Sequence, residues 1–404
     1  MVSLFPLRSG IRPVFVTAKQ LAAVLPRVQL VDARYSLLDP IHYGRAKFAE
    51  SHAARSVFAE LETPYFCGPT HSTTARHPLP EAGNFIDWCA RHRIGTAPPA
   101  VSLTPVCYDD QGGGLAATRV WWMLHDLGIE AYVLDGGWGA YLAAGLPIES
   151  GASTLPPPAP RETLSQWIGK TAWQGVVPDA AVLDPANLVV DGRTADRFGS
   201  TVRPFGLDTL PGRLPNSANA PWNANLFPSN GKPAPPPPTP LPAGVFNQLK
   251  PEDTLRAQMK AAYGGRPLSE TVFMCASGVT ACMNVAVSTH LGFGTPRLYP
   301  GSWSELTGNQ RDVIFKRALE ANGGMLVETV KANLMGKPFD AQLDDVTING
   351  RKLLAPIALD RLPALVKAVV STLKTDEEYI VWRTDAMGQE KFNVAVTRRI
   401  SSRL

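Results

Sequence analysis

Two copies of one short segment decide the fold of this chain. Leu30-Val31-Asp32-Ala33-Arg34 recurs as Val189-Val190-Asp191-Gly192-Arg193. In each copy, apolar and mostly β-branched residues lead into an Asp and an Arg, a pattern typical of a buried strand that ends at a polar loop. The two copies lie roughly 160 residues apart, which is the length of an ordinary domain.

Two further pairs of segments repeat in the same order and at nearly the same offset. Val106–Asp109 recurs as Val272–Cys275, and Leu134–Trp138 recurs as Tyr299–Trp303. A single match could arise by chance, whereas three matches in one order indicate a duplicated domain.

Each unit alternates between strand patterns and helix patterns. Leu188–Val190 and Thr271–Met274 are short apolar runs that predict strands, while Ala116–Leu127 and Val279–Leu291 have the length and apolar spacing of helices. We therefore predict an α/β protein with two domains, each a parallel sheet flanked by helices on both faces. Ligands of such sheets collect at the carboxyl ends of the strands, where Cys275 lies.

The domain limits follow from composition. We expect a first domain over residues 1–150, a Pro-rich linker over 151–162 and a second domain over 163–312. The repeat ends before the last segment, residues 313–404, which we predict to be a small α+β domain of unknown role.

Two local patterns refine this division. The Pro tract at Pro233–Pro242 falls inside the second unit, so we interpret it as a surface insertion and not as a boundary. In the last segment, Leu362–Leu373 predicts a helix and Glu378–Arg383 predicts a strand.

Composition excludes several functional classes. The 404 residues are 45% hydrophobic and 18% charged, and the net charge is only +4 with scattered Lys and Arg, so we expect neither a nucleic-acid surface nor a membrane span. The five cysteines have no metal-ligand spacing, which predicts no metal and no cofactor: Cys67, Cys89, Cys107, Cys275 and Cys282.

The cysteines also predict the cellular compartment of the protein. Their sparse use fits a reducing compartment, and we expect a cytoplasmic protein. Residues 1–13 contain Arg8 and Arg12 without an acidic residue, so a mitochondrial location stays open as the alternative.

The position of Cys275 suggests chemistry. It follows a predicted strand and precedes a short loop and a helix, so the helix N-terminus and the backbone N–H groups of the loop favour a thiolate. The same groups stabilise a persulfide anion, and Gly278 supplies the backbone freedom for a tight loop. The alternative from this pattern alone is a buried structural Cys before a helix.

The loop resembles a known family. Cys275–Ala281 is similar to the active-site loop of the rhodanese and mercaptopyruvate sulfurtransferase superfamily, and the repeated Asp-x-Arg and Gly-x-Trp segments and Arg119–Met123 match it as well. The resemblance covers residues 14–309. It implies a tandem rhodanese-like protein that carries sulfur as a persulfide on Cys275, with a non-catalytic first domain that has Asp109 at the matching position.

The character of the loop points to one branch of this family. Thiosulfate-specific members carry Arg and Lys in the loop, whereas the neutral loop of this chain is similar to that of the mercaptopyruvate branch. The resemblance therefore implies 3-mercaptopyruvate as the sulfur donor, and a donor site formed in part by Ala276, Gly278, Val279 and Thr280.

In the mercaptopyruvate branch, a Ser of the loop acts with a His and an acidic residue of the first domain. The resemblance assigns these roles to Ser277, His77 and Glu62. The family has Asp at the acidic position, so Glu62 is a departure and Glu60 stays open as the other candidate.

The same resemblance implies that two arginines bind the donor carboxylate. Arg197 matches the first of them, and Arg203 matches the second after a shift of one residue. A planar guanidinium suits a carboxylate because it donates two parallel hydrogen bonds. Asp32/Arg34 and Asp191/Arg193 occur in both units, so we predict structural ion pairs there.

Three other functions remain open at this stage. A thiosulfate:cyanide sulfurtransferase is the nearest, and a non-enzymatic rhodanese-like binding module is the second. A phosphatase of the related fold is the third, although Thr280 stands where such loops end in an Arg. For a sulfurtransferase we expect a small anionic donor and an acceptor such as thioredoxin, glutathione or cyanide.

Overall fold

The computed structural model describes residues 4–7, 10–37, 39–69, 75–94, 103–152, 172–199, 213–214, 217–233, 241–306, 341–348, 351–352, 377–386 and 389–398, the last four ranges as backbone. The strands are β1 (Phe15–Val16), β2 (Val28–Asp32), β3 (His52–Ala53), β4 (Val57–Phe58), β5 (Thr104–Tyr108), β6 (Tyr132–Leu134), β7 (Ile148–Glu149), β8 (Leu188–Asp191), β9 (Ala218–Asn219), β10 (Leu226–Pro228), β11 (Asn247–Leu249), β12 (Thr271–Met274), β13 (Arg297–Leu298), β14 (Ala341–Ile348), β15 (Arg351–Lys352), β16 (Glu377–Ala386) and β17 (Gln389–Arg398). The helices are α1 (Ala18–Ala22), α2 (Tyr43–Glu50), α3 (Ala82–Arg91), α4 (Ala117–Asp126), α5 (Gly137–Ala143), α6 (Asp179–Leu183), α7 (Ala195–Phe198), α8 (Glu252–Tyr263) and α9 (Ala281–His290).

Two parallel sheets share one strand order. The first runs β1-β6-β5-β2-β4 and the second β13-β12-β8-β9, so β5 corresponds to β12 and β2 to β8. The register agrees as well, because Asp32 pairs with Tyr108 and Asp191 pairs with Met274. This confirms the predicted α/β fold with two rhodanese-like units, and it puts Asp109 and Cys275 at equivalent strand ends.

Helices α4 and α9 pack against each other and join the two units. Each also packs on its own sheet, α4 on β5 and β6, and α9 on β12 and β13. Buried side chains of both sheets, such as Val31 and Phe273, belong to one continuous hydrophobic cluster with these helices. The two units therefore share a core, and burial of that apolar surface holds them together.

The repeated Asp-x-Arg and Gly-x-Trp segments form one structural unit in each half. The Arg34 guanidinium donates to both carboxylate oxygens of Asp32 at 2.6 to 3.1 Å and lies 4.8 Å from the Trp138 ring centroid. Arg193 pairs with Asp191 at 2.8 to 3.2 Å and lies 4.7 Å from the ring of Trp303. All four charged side chains are buried, so the predicted structural ion pairs are confirmed.

The structure describes the predicted connections only in part. The Pro tract at 233–242 lies between β10 and β11, which form an antiparallel hairpin, so it falls within the second unit as expected, although residues 234–240 lie outside the described residues. Most of the predicted linker also lies outside them.

In the last segment, β14 to β17 form an antiparallel sheet and β16 contains the strand predicted over Glu378–Arg383. The helix predicted over Leu362–Leu373 lies outside the described residues. None of the described helices has the length and apolar character needed to cross a bilayer.

Candidate active site

Cys275 lies at the carboxyl end of the buried strand β12, with 1% of its surface exposed. Its backbone N–H donates to Ser302 Oγ at 3.0 Å, and its carbonyl accepts from the Trp303 N–H at 3.0 Å. The repeated Gly-x-Trp turn thus holds the start of the loop. Gly278 has φ of +77°, and a Cβ atom there would lie 2.3 Å from the Pro300 carbonyl oxygen, so the loop bends closely against this turn.

The first unit shows what such a loop does around an anion. Asp109 occupies the position equivalent to Cys275, and its carboxylate accepts five backbone N–H groups at 2.8 to 3.0 Å. The donors are Gln111 and Gly113 to Oδ1, and Leu115, Ala116 and Ala117 to Oδ2. A strand end, a tight loop and a helix start therefore collect N–H groups around one anionic group. The same three elements follow β12 at Cys275.

Three predicted residues from both units meet beside this loop. His77 Nδ1 lies 2.8 Å from Ser277 Oγ, and His77 Nε2 lies 3.1 Å from Glu62 Oε1. Ser277 and His77 are each 3% exposed. Because a carboxylate only accepts hydrogen bonds, we assign the imidazole proton to Nε2. The unprotonated Nδ1 then accepts the hydroxyl proton of Ser277.

The electrostatics of this group agree with the assigned proton. Burial lowers the pKa of His77, and the hydrogen bond to Glu62 offsets this only in part, so the imidazole is neutral near pH 7. Burial alone would raise the pKa of Glu62, but hydrogen bonds from His77 and Tyr35 bring this pKa below its usual range. A neutral imidazole beside an ionised carboxylate is ready to take up a proton.

Only one of the two candidate carboxylates reaches His77. Glu60, the alternative left open by the sequence, forms an ion pair with Arg45 at the surface. Glu62 is the carboxylate in contact with the imidazole, and its side chain is 27% exposed.

Tyr35 contacts Glu62 and His77, which the sequence did not predict. Its hydroxyl donates to Glu62 Oε1 at 2.6 Å and lies 3.0 Å from His77 Nε2. Burial raises the pKa of Tyr35 far above its usual value, so the hydroxyl stays protonated and acts as a donor. The one available signal was its position directly after Arg34, at the carboxyl end of β2.

Arg119 contacts both the Cys275 loop and the segment that carries His77. It belongs to the family-like segment Arg119–Met123 on α4 and is fully buried. One guanidinium nitrogen donates to the Gly278 carbonyl at 3.2 Å and the other to the His77 carbonyl at 3.3 Å. The helix of the first unit therefore links the Cys275 loop to the segment that carries His77.

The predicted donor-binding residues lie at the same edge of the second sheet. Ala276 and Val279 are buried, and Thr280 is half-buried at the start of α9. Arg197 lies on α7, just beyond the carboxyl end of β8, the parallel neighbour of β12, and is half-buried. Arg203 lies outside the described residues. Their roles in donor binding stay predictions.

The other cysteines do not form disulfides. Cys67, Cys89, Cys107 and Cys282 are all buried and free. Cys282 is fully buried, and its thiol donates to the Gly278 carbonyl at 3.3 Å. Burial raises the pKa of Cys282 to about 12, so it stays a thiol.

Several known proteins that are similar to this chain are named as sulfurtransferases. A probable 3-mercaptopyruvate sulfurtransferase of Pseudomonas aeruginosa is 34% identical over 74% of this chain and 96% of its own length. A putative thiosulfate sulfurtransferase of Mycobacterium tuberculosis is 29% identical over 72% of this chain and 93% of its own length. The solved structure of 3-mercaptopyruvate sulfurtransferase from Leishmania major is 30% identical with a TM-score of 0.65, and the match covers 97% of this chain and 98% of that one. No protein-family model matches the chain.

Proposed function

Since this chain belongs to the mercaptopyruvate sulfurtransferases of the rhodanese superfamily, we propose that it moves sulfur from 3-mercaptopyruvate to an acceptor through a persulfide on Cys275. The observation that carries this proposal is the 2.8 Å contact between Ser277 Oγ and His77 Nδ1 beside the Cys275 loop. A polarised hydroxyl is useful for a donor with a keto group, whereas thiosulfate has none.

In the first step, the Cys275 thiolate attacks the sulfur of the donor. The sulfur–sulfur bond forms, the carbon–sulfur bond breaks, and its electron pair passes to carbon as the enolate of pyruvate. Once His77 has taken up the persulfide proton on Nδ1, that N–H donates to Ser277 Oγ, and the freed Ser277 hydroxyl donates a hydrogen bond to the oxygen of the enolate, where the negative charge lies. The persulfide gives its proton to His77, and the imidazolium returns it to the enolate through Ser277, so pyruvate leaves and a persulfide anion remains.

The loop stabilises both sulfur anions in turn. The thiolate before the step and the persulfide after it carry one negative charge, and the start of α9 with the loop N–H groups favours both. Since the loop of the first unit holds a carboxylate in the same way, we expect little rearrangement during the step.

In the second step, an acceptor removes the outer sulfur. An acceptor thiolate attacks that atom, the sulfur–sulfur bond breaks, and its electron pair restores the Cys275 thiolate. We propose thioredoxin, glutathione or cyanide as the acceptor, because each offers a nucleophile to an electrophilic sulfur. Arg197 and Arg203 are proposed to bind the donor carboxylate, which suits their planar guanidinium groups.

Intact-mass measurement tests the central claim. After exposure to 3-mercaptopyruvate and removal of excess donor, the wild-type chain should gain one sulfur atom and release one pyruvate. Cys275→Ser should fold and gain none, whereas Cys89→Ser, which changes a buried thiol far from the loop in sequence, should behave as wild type. Sulfur transfer by Cys275→Ser would refute the assignment of the nucleophile.

The similarity to a relative named as a thiosulfate sulfurtransferase makes that donor the second candidate. Ser277→Ala should lower turnover with 3-mercaptopyruvate by roughly 10²-fold and leave any transfer from thiosulfate nearly unchanged. His77→Ala should act similarly, and the double variant should be little worse than either single one, because both groups serve one proton path. Equal losses with both donors would indicate a collapsed loop instead.

A further inference from the structure

We propose that Tyr35 is a positioning residue for this reaction, which holds the Glu62 carboxylate against His77 and so fixes the imidazole that serves Ser277. This inference rests on the proposed function and adds one positioning residue to the hydrogen-bonded group of Ser277, His77 and Glu62. The observation behind it is the shared contact of the Tyr35 hydroxyl, 2.6 Å from Glu62 Oε1 and 3.0 Å from His77 Nε2.

Glu62 needs an anchor because of its length. A glutamate side chain has one more rotatable bond than an aspartate, so it loses more conformational freedom when it is held in one place. Its side chain is 27% exposed and has solvent available as an alternative partner. Tyr35 is only 5% exposed and its ring packs edge-on against His77, so its hydroxyl is a rigid donor from the protein side.

The hydroxyl can serve Glu62 throughout the reaction. When His77 is neutral, Nε2–H and the Tyr35 O–H both donate to Oε1. When His77 takes up the persulfide proton on Nδ1, the Nε2–H and the Tyr35 O–H still donate to the same oxygen. No donor has to reorganise between the two states, which is what a preorganised site requires.

The charges that face His77 limit what else controls it. Glu62 is the acidic group that acts on the imidazole. Arg76, which precedes His77 in the chain, and Arg119 on α4 are the cations that act on it. Both cations disfavour a protonated His77, so Glu62 is the group that makes proton uptake possible. A displaced Glu62 would leave the imidazole buried between positive charges, and its pKa would fall further.

Tyr35→Phe tests the proposal with a change of one oxygen atom. We expect kcat for 3-mercaptopyruvate to fall about 10-fold, with little change in KM, because the hydrogen bond that holds Glu62 against His77 is lost. The acidic limb of the kcat profile should move to lower pH, in the same direction as in Glu62→Gln. The double variant should be no slower than Glu62→Gln alone, since Tyr35 acts through Glu62.

Two controls separate a role in the relay from a role in folding. Tyr141→Phe removes another buried tyrosine hydroxyl, which donates to the Pro147 carbonyl at 2.7 Å, and should leave both kcat and the pH profile unchanged. Alkylation of Cys275 by iodoacetamide should proceed at the wild-type rate in Tyr35→Phe, which reports an intact loop.

Opposite results would overturn the proposal. An unmoved acidic limb, or losses that multiply in the Tyr35→Phe and Glu62→Gln double variant, would show that Tyr35 does not act through Glu62. Either result would leave the proposed function standing as long as the wild-type chain forms the persulfide. A wild-type chain that forms no persulfide would refute the proposed function itself.

Discussion

Replacing Gly278 by Ala tests the geometry of the loop directly. The residue has φ of +77°, where an Ala costs about 1–2 kcal/mol of folding free energy. A Cβ atom there would also lie 2.3 Å from the Pro300 oxygen and 2.9 Å from its carbonyl carbon. An ordinary contact needs a shift of roughly 1 Å, and such overpacking adds about 1–3 kcal/mol.

Gly128→Ala is the matched control for this change. Gly128 follows the last turn of α4 with φ of +82°, and a Cβ atom there would meet nothing within 4 Å. It therefore carries the cost of the backbone conformation alone, about 1–2 kcal/mol. In urea unfolding, Gly278→Ala should be less stable than Gly128→Ala by the overpacking contribution.

The activities of the two variants should differ more than their stabilities. A loop displaced by roughly 1 Å from Pro300 moves Ser277 away from His77, and misplacement of this size costs about 10²-fold in rate. This loss is measured as the rate of persulfide formation from 3-mercaptopyruvate, with the release of pyruvate as the readout. Equal stability of the two variants together with full turnover in Gly278→Ala would refute the described contact with Pro300.

Two further predictions concern the donor and the first unit. Arg197→Gly should raise KM for 3-mercaptopyruvate by about 10- to 1,000-fold, because a bidentate contact with the carboxylate is lost, and unchanged steady-state kinetics would place the carboxylate elsewhere. Asp109→Asn should destabilise the protein by about 2–6 kcal/mol in urea unfolding, because an amide has one acceptor atom and leaves at least two of the five backbone N–H groups unpaired. A stability equal to wild type would show that these N–H groups do not depend on the carboxylate.

The sequence was informative where a pattern is local and repeated. Strand ends, helix ends and the Asp-x-Arg ion pairs recur in both units, so each copy supported the other. The contact between Ser277 and His77 followed only from the family resemblance, because no local pattern relates two residues that lie 200 positions apart.

Other features of the site depend on packing that no local pattern contains. Glu60 and Glu62 are two residues apart on an irregular segment, and the choice between them depends on Arg45, which comes from α2. The contacts of Tyr35 depend on how the segments that carry Glu62 and His77 fold over the end of β2. Those of Arg119 depend on how α4 meets the second unit. The sequence placed Arg119 in a family-like segment but gave no partner for it.

The path of Arg119 from one half to the other has a consequence for the independence of the two units. Since its guanidinium donates to the Gly278 carbonyl of one unit and to the His77 carbonyl of the other, the proposed nucleophile and the proposed proton acceptor depend on the same buried side chain. Neither unit alone would hold the whole proposed site, so the two halves should act as one functional entity. Substitutions buried between α4 and α9 should therefore lower activity as well as stability, although they touch no substrate.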